Sequence, residues 1–166
     1  MNIIFKFLYI IILSVLLTSC TFQIDINSPY STFEEEIKMQ IDNVFDENLK
    51  EIVHTDIKES GLLIFYTSYD SNSLSFTYVT NDDGKWVSVY SGYVTLNEYS
   101  YILTANTGMP FNLALVSAPE DVDNVTVQGL PLKHIISNEV SFWYIYTERP
   151  VNGADIDFYS NGEKVR

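Results

Sequence analysis

Few side chains in this 166-residue sequence are of the types that carry out nucleophilic catalysis. Such catalysis needs a nucleophile, a base and an orienting group in contact. The chain has one cysteine, Cys20, and two histidines, His54 and His134, and neither histidine belongs to an H-E-x-x-H pattern. The G-x-S-x-G pattern is also missing, and two distant histidines are a poor basis for a zinc site. The sequence therefore predicts no catalytic residue, no metal site and no cofactor.

Clustered carboxylates are a second possible source of chemistry. They form three groups, which are Asp82/Asp83, Glu120/Asp121/Asp123 and Asp155/Asp157. Paired acids can hydrolyse glycosides, and the hard oxygens of PEDVDN suit calcium, although the EF-hand pattern is absent. The first two groups lie in turn-forming sequences, where Asp is favoured without any function. We therefore expect these carboxylates to lie in solvated turns and on strand surfaces. Calcium binding and glycoside hydrolysis are the alternatives.

Aromatic residues are abundant in the body of the chain. Those that could form a stacking platform for sugar rings are Tyr66, Tyr69, Tyr78, Tyr90, Tyr93, Trp143, Tyr144 and Tyr146. The other interpretation is that about half of them fill a core. In SFWYIY, alternation places Phe142 and Tyr144 on one side and Trp143 on the other, and both sides are apolar. This run therefore predicts a central strand that is covered on both faces.

One strongly apolar segment, Phe7 to Leu17, follows the opening MNIIFKF. A membrane-spanning helix needs roughly 20 apolar residues, whereas a secretory signal has about 7–15 followed by small residues. The eleven residues of this segment fit the second class. The segment therefore predicts an export signal.

The segment ends in Leu17-Thr18-Ser19-Cys20, which resembles the lipobox of bacterial lipoproteins. The resemblance implies that residues 1–19 are a signal peptide cleaved after Ser19 and that Cys20 carries a diacylglyceryl group. It also implies a location on the extracytoplasmic face of the cell membrane. Two acyl chains such as palmitate, at about 0.8 kcal/mol per buried CH₂, hold a protein firmly to a bilayer. The alternative is an ordinary cleaved signal that leaves Cys20 as a free thiol.

The charge of the mature chain excludes several classes of partner. Cleavage after Ser19 removes Lys6 and no acid, so 8 Lys and Arg face 22 Asp and Glu, a formal charge of −14. Nucleic-acid binding and electrostatic attachment to anionic lipid both use clustered basic residues. The acylated Cys20 is therefore the only membrane attachment that the sequence predicts, and an envelope protein or a cell-wall ligand is the expected partner.

The remainder of the chain divides into a tether, a helix and a β region. Residues 20–30 lack a helical stripe and predict a lipidated tether. Ser31 and Glu34 match a capping box, and apolar residues follow at helical spacing, namely Phe33, Ile37, Ile41, Val44, Phe45, Leu49 and Ile52. This spacing predicts one amphipathic helix over about 31–53, packed on a single globular domain of residues 31–166.

From about residue 54 to 166, short β-like runs alternate with turn sequences. The runs include LLIFYTSY, LSFTYVT, WVSVYSGYVT, FNLALVS and VSFWYIYT, and Asn161-Gly162 predicts a closing hairpin. Runs at intervals of about 8–12 residues predict an antiparallel β-sandwich, Ig-like or related. The chain is thus expected to be mainly β, and one amphipathic helix is expected to precede the β region in the sequence.

The order of FYTS, GKWVSVYSG, LALVSAPEDVDNVTVQG, SFWYIY and IDFYSNGEKV is similar to that of small uncharacterised lipoproteins of Bacillus and its relatives. The resemblance implies a cell-envelope location and an Ig-like fold, and it brings no catalytic residues. Our hypothesis is a membrane-anchored domain that binds a protein or ligand without catalysis. The alternative is a carbohydrate-binding domain or a carboxylate-dependent hydrolase acting on cell-wall glycan.

Overall fold

A computed structural model describes residues 49–69 and 71–166, together with Glu35 and Met39. The described chain contains twelve strands, which are β1 (Leu49–Lys58), β2 (Gly61–Ser68), β3 (Ser73–Asp82), β4 (Lys85–Thr95), β5 (Ser100–Leu103), β6 (Asn112–Ser117), β7 (Asn124–Val127), β8 (Leu130–Pro131), β9 (Lys133–Ser137), β10 (Val140–Thr147), β11 (Ile156–Ser160) and β12 (Glu163–Lys164). A 3₁₀ helix, Gly153–Asp155, precedes β11. None of the helical residues described belongs to an apolar helix of membrane-spanning length.

All of the strand pairs are antiparallel, and they form three four-stranded sheets. The front sheet has the order β1-β2-β3-β4, the middle sheet β5-β6-β10-β9 and the back sheet β12-β11-β7-β8. Within the described chain each sheet is an open ladder with two edge strands. The prediction of a mainly β, antiparallel fold is therefore confirmed.

The middle sheet has a hydrophobic core on each face. Alternation along β10 places Phe142 and Tyr144 in a core shared with the front sheet, whereas Trp143 lies in a second core shared with the back sheet. Front-sheet residues such as Phe65 complete the first core, and back-sheet residues such as Phe158 complete the second. The prediction that SFWYIY forms a central strand covered on both faces is confirmed, and sheets provide the cover.

The predicted helix over 31–53 is wrong in its last part, because β1 begins at Leu49. The register with β2 shifts between Leu49 and Glu51 and again between Ile52 and His54. These irregularities break the two-residue alternation of a strand. Apolar residues around Ile52 therefore recur at a spacing that imitates a helix. Glu35 and Met39 are helical, and the rest of residues 31–48 lies outside the described residues, as do the signal peptide and the tether.

The predicted closing hairpin is confirmed by β11 and β12. Asn161 and Gly162 connect the two strands with φ values of 52° and 79°. A two-residue turn with both φ values positive matches the twist of paired strands, and Asn and Gly are the residues that adopt it at low cost. The end of the chain is thereby folded back onto the back sheet.

Candidate binding site

A polar cluster lies where the edge strand of the front sheet approaches the middle sheet. We call it the seam cluster, and it consists of His54 and Asp56 on β1, Lys133 on β9, and Tyr144 and Tyr146 on β10. The two residues from β1 are two positions apart, as are the two tyrosines, so each pair lies on one face of its strand. The register therefore brings together groups that are distant in the sequence.

The Asp56 carboxylate is the acceptor at the centre of the seam cluster. Its Oδ2 atom accepts hydrogen bonds of 2.7 Å from the Tyr144 hydroxyl and 3.0 Å from the Tyr146 hydroxyl. Lys133 Nζ lies 3.9 Å from the same oxygen and donates to the Tyr144 hydroxyl over 2.7 Å. Both tyrosines and the lysine thus converge on one carboxylate.

His54 Nε2 lies beside two groups of the seam cluster. It is 3.1 Å from the Tyr144 hydroxyl oxygen and 3.5 Å from Lys133 Nζ. The hydroxyl proton of Tyr144 is directed at Asp56, so that oxygen can accept from a protonated Nε2, whereas an unprotonated Nε2 can accept from Lys133. Either tautomer of neutral His54 therefore has a partner in the cluster.

The pKa values of the seam cluster follow from burial and from these contacts. Partial burial by itself would raise the pKa of Asp56, but hydrogen bonds from Tyr144 and Tyr146 and the charge of Lys133 bring it below its ordinary value. Burial and the Asp56 carboxylate raise the pKa of both tyrosines. Burial and the charge of Lys133 lower the pKa of His54. At neutral pH the cluster therefore holds an ionised Asp56, neutral phenols and a neutral imidazole.

A second feature is an open cleft of about 620 Å³, which we call the mouth cleft. It is lined by the beginning of β1, the end of β2, the turns before β3 and β10, and the loops that follow β4 and β6. Leu96 and Val140, which line it, are also members of the core between the front and middle sheets. The cleft therefore opens at one end of that core.

The mouth cleft has an apolar floor and a polar rim. Leu96, Val140 and the side chain of Thr67 lie at the floor. The rim carries Lys50 and three glutamates, namely Glu51, Glu120 and Glu139, together with hydroxyl and amide side chains. Asn138 Nδ2 donates a 2.9 Å hydrogen bond to Glu51 Oε2 across the rim. A concave site with apolar and polar parts is typical of ligand binding.

No family model, curated protein or solved structure matches this chain.

The two histidines that the sequence singled out lie in different surroundings. His54 belongs to the seam cluster and lies within β1. The ring of His134, on the edge strand β9, stacks on Trp143 at a centroid distance of 4.2 Å, and its Nε2 lies 2.9 Å from Ser141 Oγ. Cys20, the predicted lipidation site, lies outside the described residues.

Members of the three predicted carboxylate groups have separate contacts. Asp82 and Asp83 lie at the hairpin between β3 and β4. Asp123 accepts a hydrogen bond from the backbone of Asn161, Asp155 accepts from the backbone of Asn152, and Asp157 pairs with Lys164. In the described part of the chain, no group of three His, Cys, Asp or Glu side chains is placed to hold a metal ion.

The aromatic residues divide between core and surface. Tyr66, Tyr78, Trp143 and Tyr144 are buried, whereas Tyr69 and Tyr93 are exposed. Because four of the eight candidates are buried, the interpretation that about half fill the core is confirmed. The described lining of the mouth cleft contains no aromatic ring.

Sequence reasoning missed Asp56, Lys133 and the glutamates Glu51 and Glu139. One signal was available for the first of these: His54 and Asp56 share a face if their segment is a strand. The first run predicted as a strand began only at Leu62, so the segment that holds His54 and Asp56 was assigned to no strand. The rim glutamates are spread over strands and loops far apart in the chain, so no local pattern marks them.

Proposed function

We propose that this chain is an extracytoplasmic lipoprotein, anchored in the cell membrane through acylated Cys20, whose β domain binds a protein or ligand without catalysis. The observation that carries the anchor is Leu17-Thr18-Ser19-Cys20 directly after an eleven-residue apolar run. Residues 21–30 of the tether would extend roughly 30 Å, since an extended chain spans about 3.3 Å per residue. The domain would therefore stay beside the membrane.

The non-catalytic role is supported by the way the seam cluster uses its groups. The Tyr144 hydroxyl already contacts Asp56, Lys133 and His54, and its pKa is raised. A phenol with a raised pKa is a poor nucleophile, and a carboxylate that accepts two phenol hydrogen bonds is a poor base. This arrangement fastens β1 to the middle sheet, and the mouth cleft is left as the place for a ligand.

We also propose that the fold belongs to the Ig-like or a related class of β-sandwich. The support is that the front and middle sheets share one continuous core, as the two sheets of a sandwich do. The back sheet extends that arrangement by a second core.

The alternative is a carbohydrate-binding domain or a carboxylate-dependent hydrolase that acts on cell-wall glycan. The three glutamates of the mouth cleft favour it. Incubation of the full chain with purified wall glycan, followed by measurement of reducing ends, is the test. Release that disappears in Glu51→Gln would establish hydrolysis and overturn the non-catalytic proposal. Cosedimentation with the glycan without release would identify a carbohydrate-binding domain.

The anchor is tested by Cys20→Ser. We expect the variant to remain folded and to leave the membrane fraction, because the acidic body, at a formal charge of −14, has no attraction to anionic lipid. Cell fractionation of both forms and mass spectrometry of the wild-type N-terminus provide the measurements. A mature chain that begins at a residue other than Cys20, or that lacks added acyl mass there, would overturn the lipoprotein assignment.

A further inference from the structure

We propose that the mouth cleft binds an organic cation, namely a ligand that carries an ammonium group on an aliphatic stem. This inference rests on the proposed ligand-binding function and specifies its ligand class. It follows from three properties of the cleft, which are the apolar floor, an unpaired hydroxyl in that floor and the excess of carboxylates on the rim.

The floor suits the aliphatic part of such a ligand. Leu96 and Val140 lie at the end of the core between the front and middle sheets and also line the cleft. Both are buried, at 8% and 5% exposed. An aliphatic stem placed against them would extend the core outwards and remove further apolar surface from water.

Thr67 supplies an unpaired polar group in the same floor. Its side chain is on the face of β2 that carries Leu63 and Phe65, so it is directed into the space between the front and middle sheets. Thr67 is 5% exposed, and its Oγ1 atom has no hydrogen-bond partner. A buried hydroxyl without a partner is costly and uncommon. A donor that arrives with a ligand would satisfy it.

The rim selects the charge of the ligand. Glu51, Glu120 and Glu139 face a single cation, Lys50, among the described residues of the lining. The excess of negative charge favours a cation over a neutral or anionic group. An ammonium group has three donors, so it has enough of them for a rim carboxylate and for the Thr67 hydroxyl, both of which belong to the lining. The cation therefore accounts for both the floor and the rim.

The experiment is an NMR titration of the full chain, purified in a neutral detergent, with 1,6-hexanediamine. Backbone amide shifts at Thr67, Leu96 and Asn138 report on the mouth cleft. The neutral analogue 1,6-hexanediol has the same stem without the charge, and a trimer of N-acetylglucosamine represents a sugar ligand. We expect the diamine alone to shift these amides, and we expect its affinity to fall as salt is added.

Three variants separate the contributions of the cleft. Glu51→Gln retains an acceptor for Asn138 but removes a charge, and combined with Glu139→Gln it should weaken diamine binding by about tenfold or more. Thr67→Val removes only the unpaired hydroxyl, so it should weaken binding several-fold without lowering the urea midpoint. Glu163→Gln, on the exposed strand β12, is the matched control and should bind as the wild type does.

Each outcome has a defined consequence. Diamine shifts at the cleft that are weakened by the glutamate and threonine variants would support the proposal. Shifts at the cleft from the diol or the sugar, without a response to the diamine, would overturn the choice of a cation and leave the proposed binding function intact. This inference would be overturned if the diamine bound equally strongly to all of the variants, or if no probe shifted the amides of the cleft. The anchor at Cys20 is tested separately, by cell fractionation.

Discussion

The hydroxyl of Tyr144 donates a 2.7 Å hydrogen bond to the carboxylate of Asp56, a residue 88 positions earlier in the chain. The contact joins the edge strand of the front sheet to a central strand of the middle sheet. Because the acceptor is ionised, this hydrogen bond is of the strong, charge-assisted kind. It should therefore contribute measurably to the stability of the domain.

Asp56→Asn should lower the free energy of unfolding at pH 7 by about 2 kcal/mol, because it removes the charge that strengthens the two phenol hydrogen bonds. Urea denaturation measures the change. Asp83→Asn, at the exposed hairpin before β4, is the matched control and should change the stability by less than about 0.5 kcal/mol. Equal losses in the two variants would contradict the role given to Asp56.

The same variant should differ from the wild type in its acid denaturation. The pKa of Asp56 in the folded protein is below its ordinary value of 3.8, so its contribution is fully present above that value. The contribution is lost as the pH falls through the lower folded pKa. The difference in unfolding free energy between wild type and Asp56→Asn should therefore narrow below pH 3.8. A constant difference down to strongly acidic pH would rule out this linkage.

The phenols of Tyr144 and Tyr146 should ionise late in an alkaline titration. Burial and Asp56 raise the pKa of each above the ordinary 10.0, so the stability that they contribute is present below that pH and lost as the pH rises further. In an absorbance titration, Tyr144→Phe and Tyr146→Phe should each remove one phenol from the late part of the curve only. Loss from the early part would show that the phenol is accessible and its pKa unshifted.

Protonation of His134 should be visible in the fluorescence of Trp143, on which its ring is stacked. Burial lowers the pKa of His134 from its ordinary 6.5. The stability that burial of the neutral ring contributes is thus fully present above pH 6.5. It is lost as the pH falls from there through the lower folded pKa. We expect the tryptophan emission to change with a midpoint below pH 6.5. The change should be absent in His134→Gln, and a change that persists there would assign it to another group.

Phe142→Ala should be among the most destabilising single substitutions in the β domain. Its side chain is 0% exposed and its ring centroid lies 4.9 Å from that of Phe65 on the opposite sheet. Truncation of a buried phenylalanine costs about 3–5 kcal/mol, because it removes buried area and leaves a cavity. Ile136→Ala, at a site that is 72% exposed on β9, should cost less than about 0.5 kcal/mol in the same denaturation experiment. Similar costs would place Phe142 outside the core.

Local patterns in the sequence determined the strands and the turns that connect them. The alternation of Leu74, Phe76 and Tyr78 predicted one buried face of β3, and all three are in the core between the front and middle sheets. Asn161-Gly162 predicted the last hairpin. Both depend on residues within a few positions of one another, since side-chain alternation and turn geometry are properties of the local backbone. The lipid anchor at Cys20 is also a local inference, and it stays a prediction.

Tertiary structure alone decided β1, the seam cluster and the mouth cleft. Irregularities in β1 conceal its alternation, so only its pairing with β2 reveals it as a strand. Asp56 meets Tyr144 because separate ladders align β1 beside β9 and β10. Thr67 and Glu139 line one cleft because the ends of the front and middle sheets coincide. Such meetings depend on the register and packing of strands distant in the chain, which leave no trace in the local order of residues.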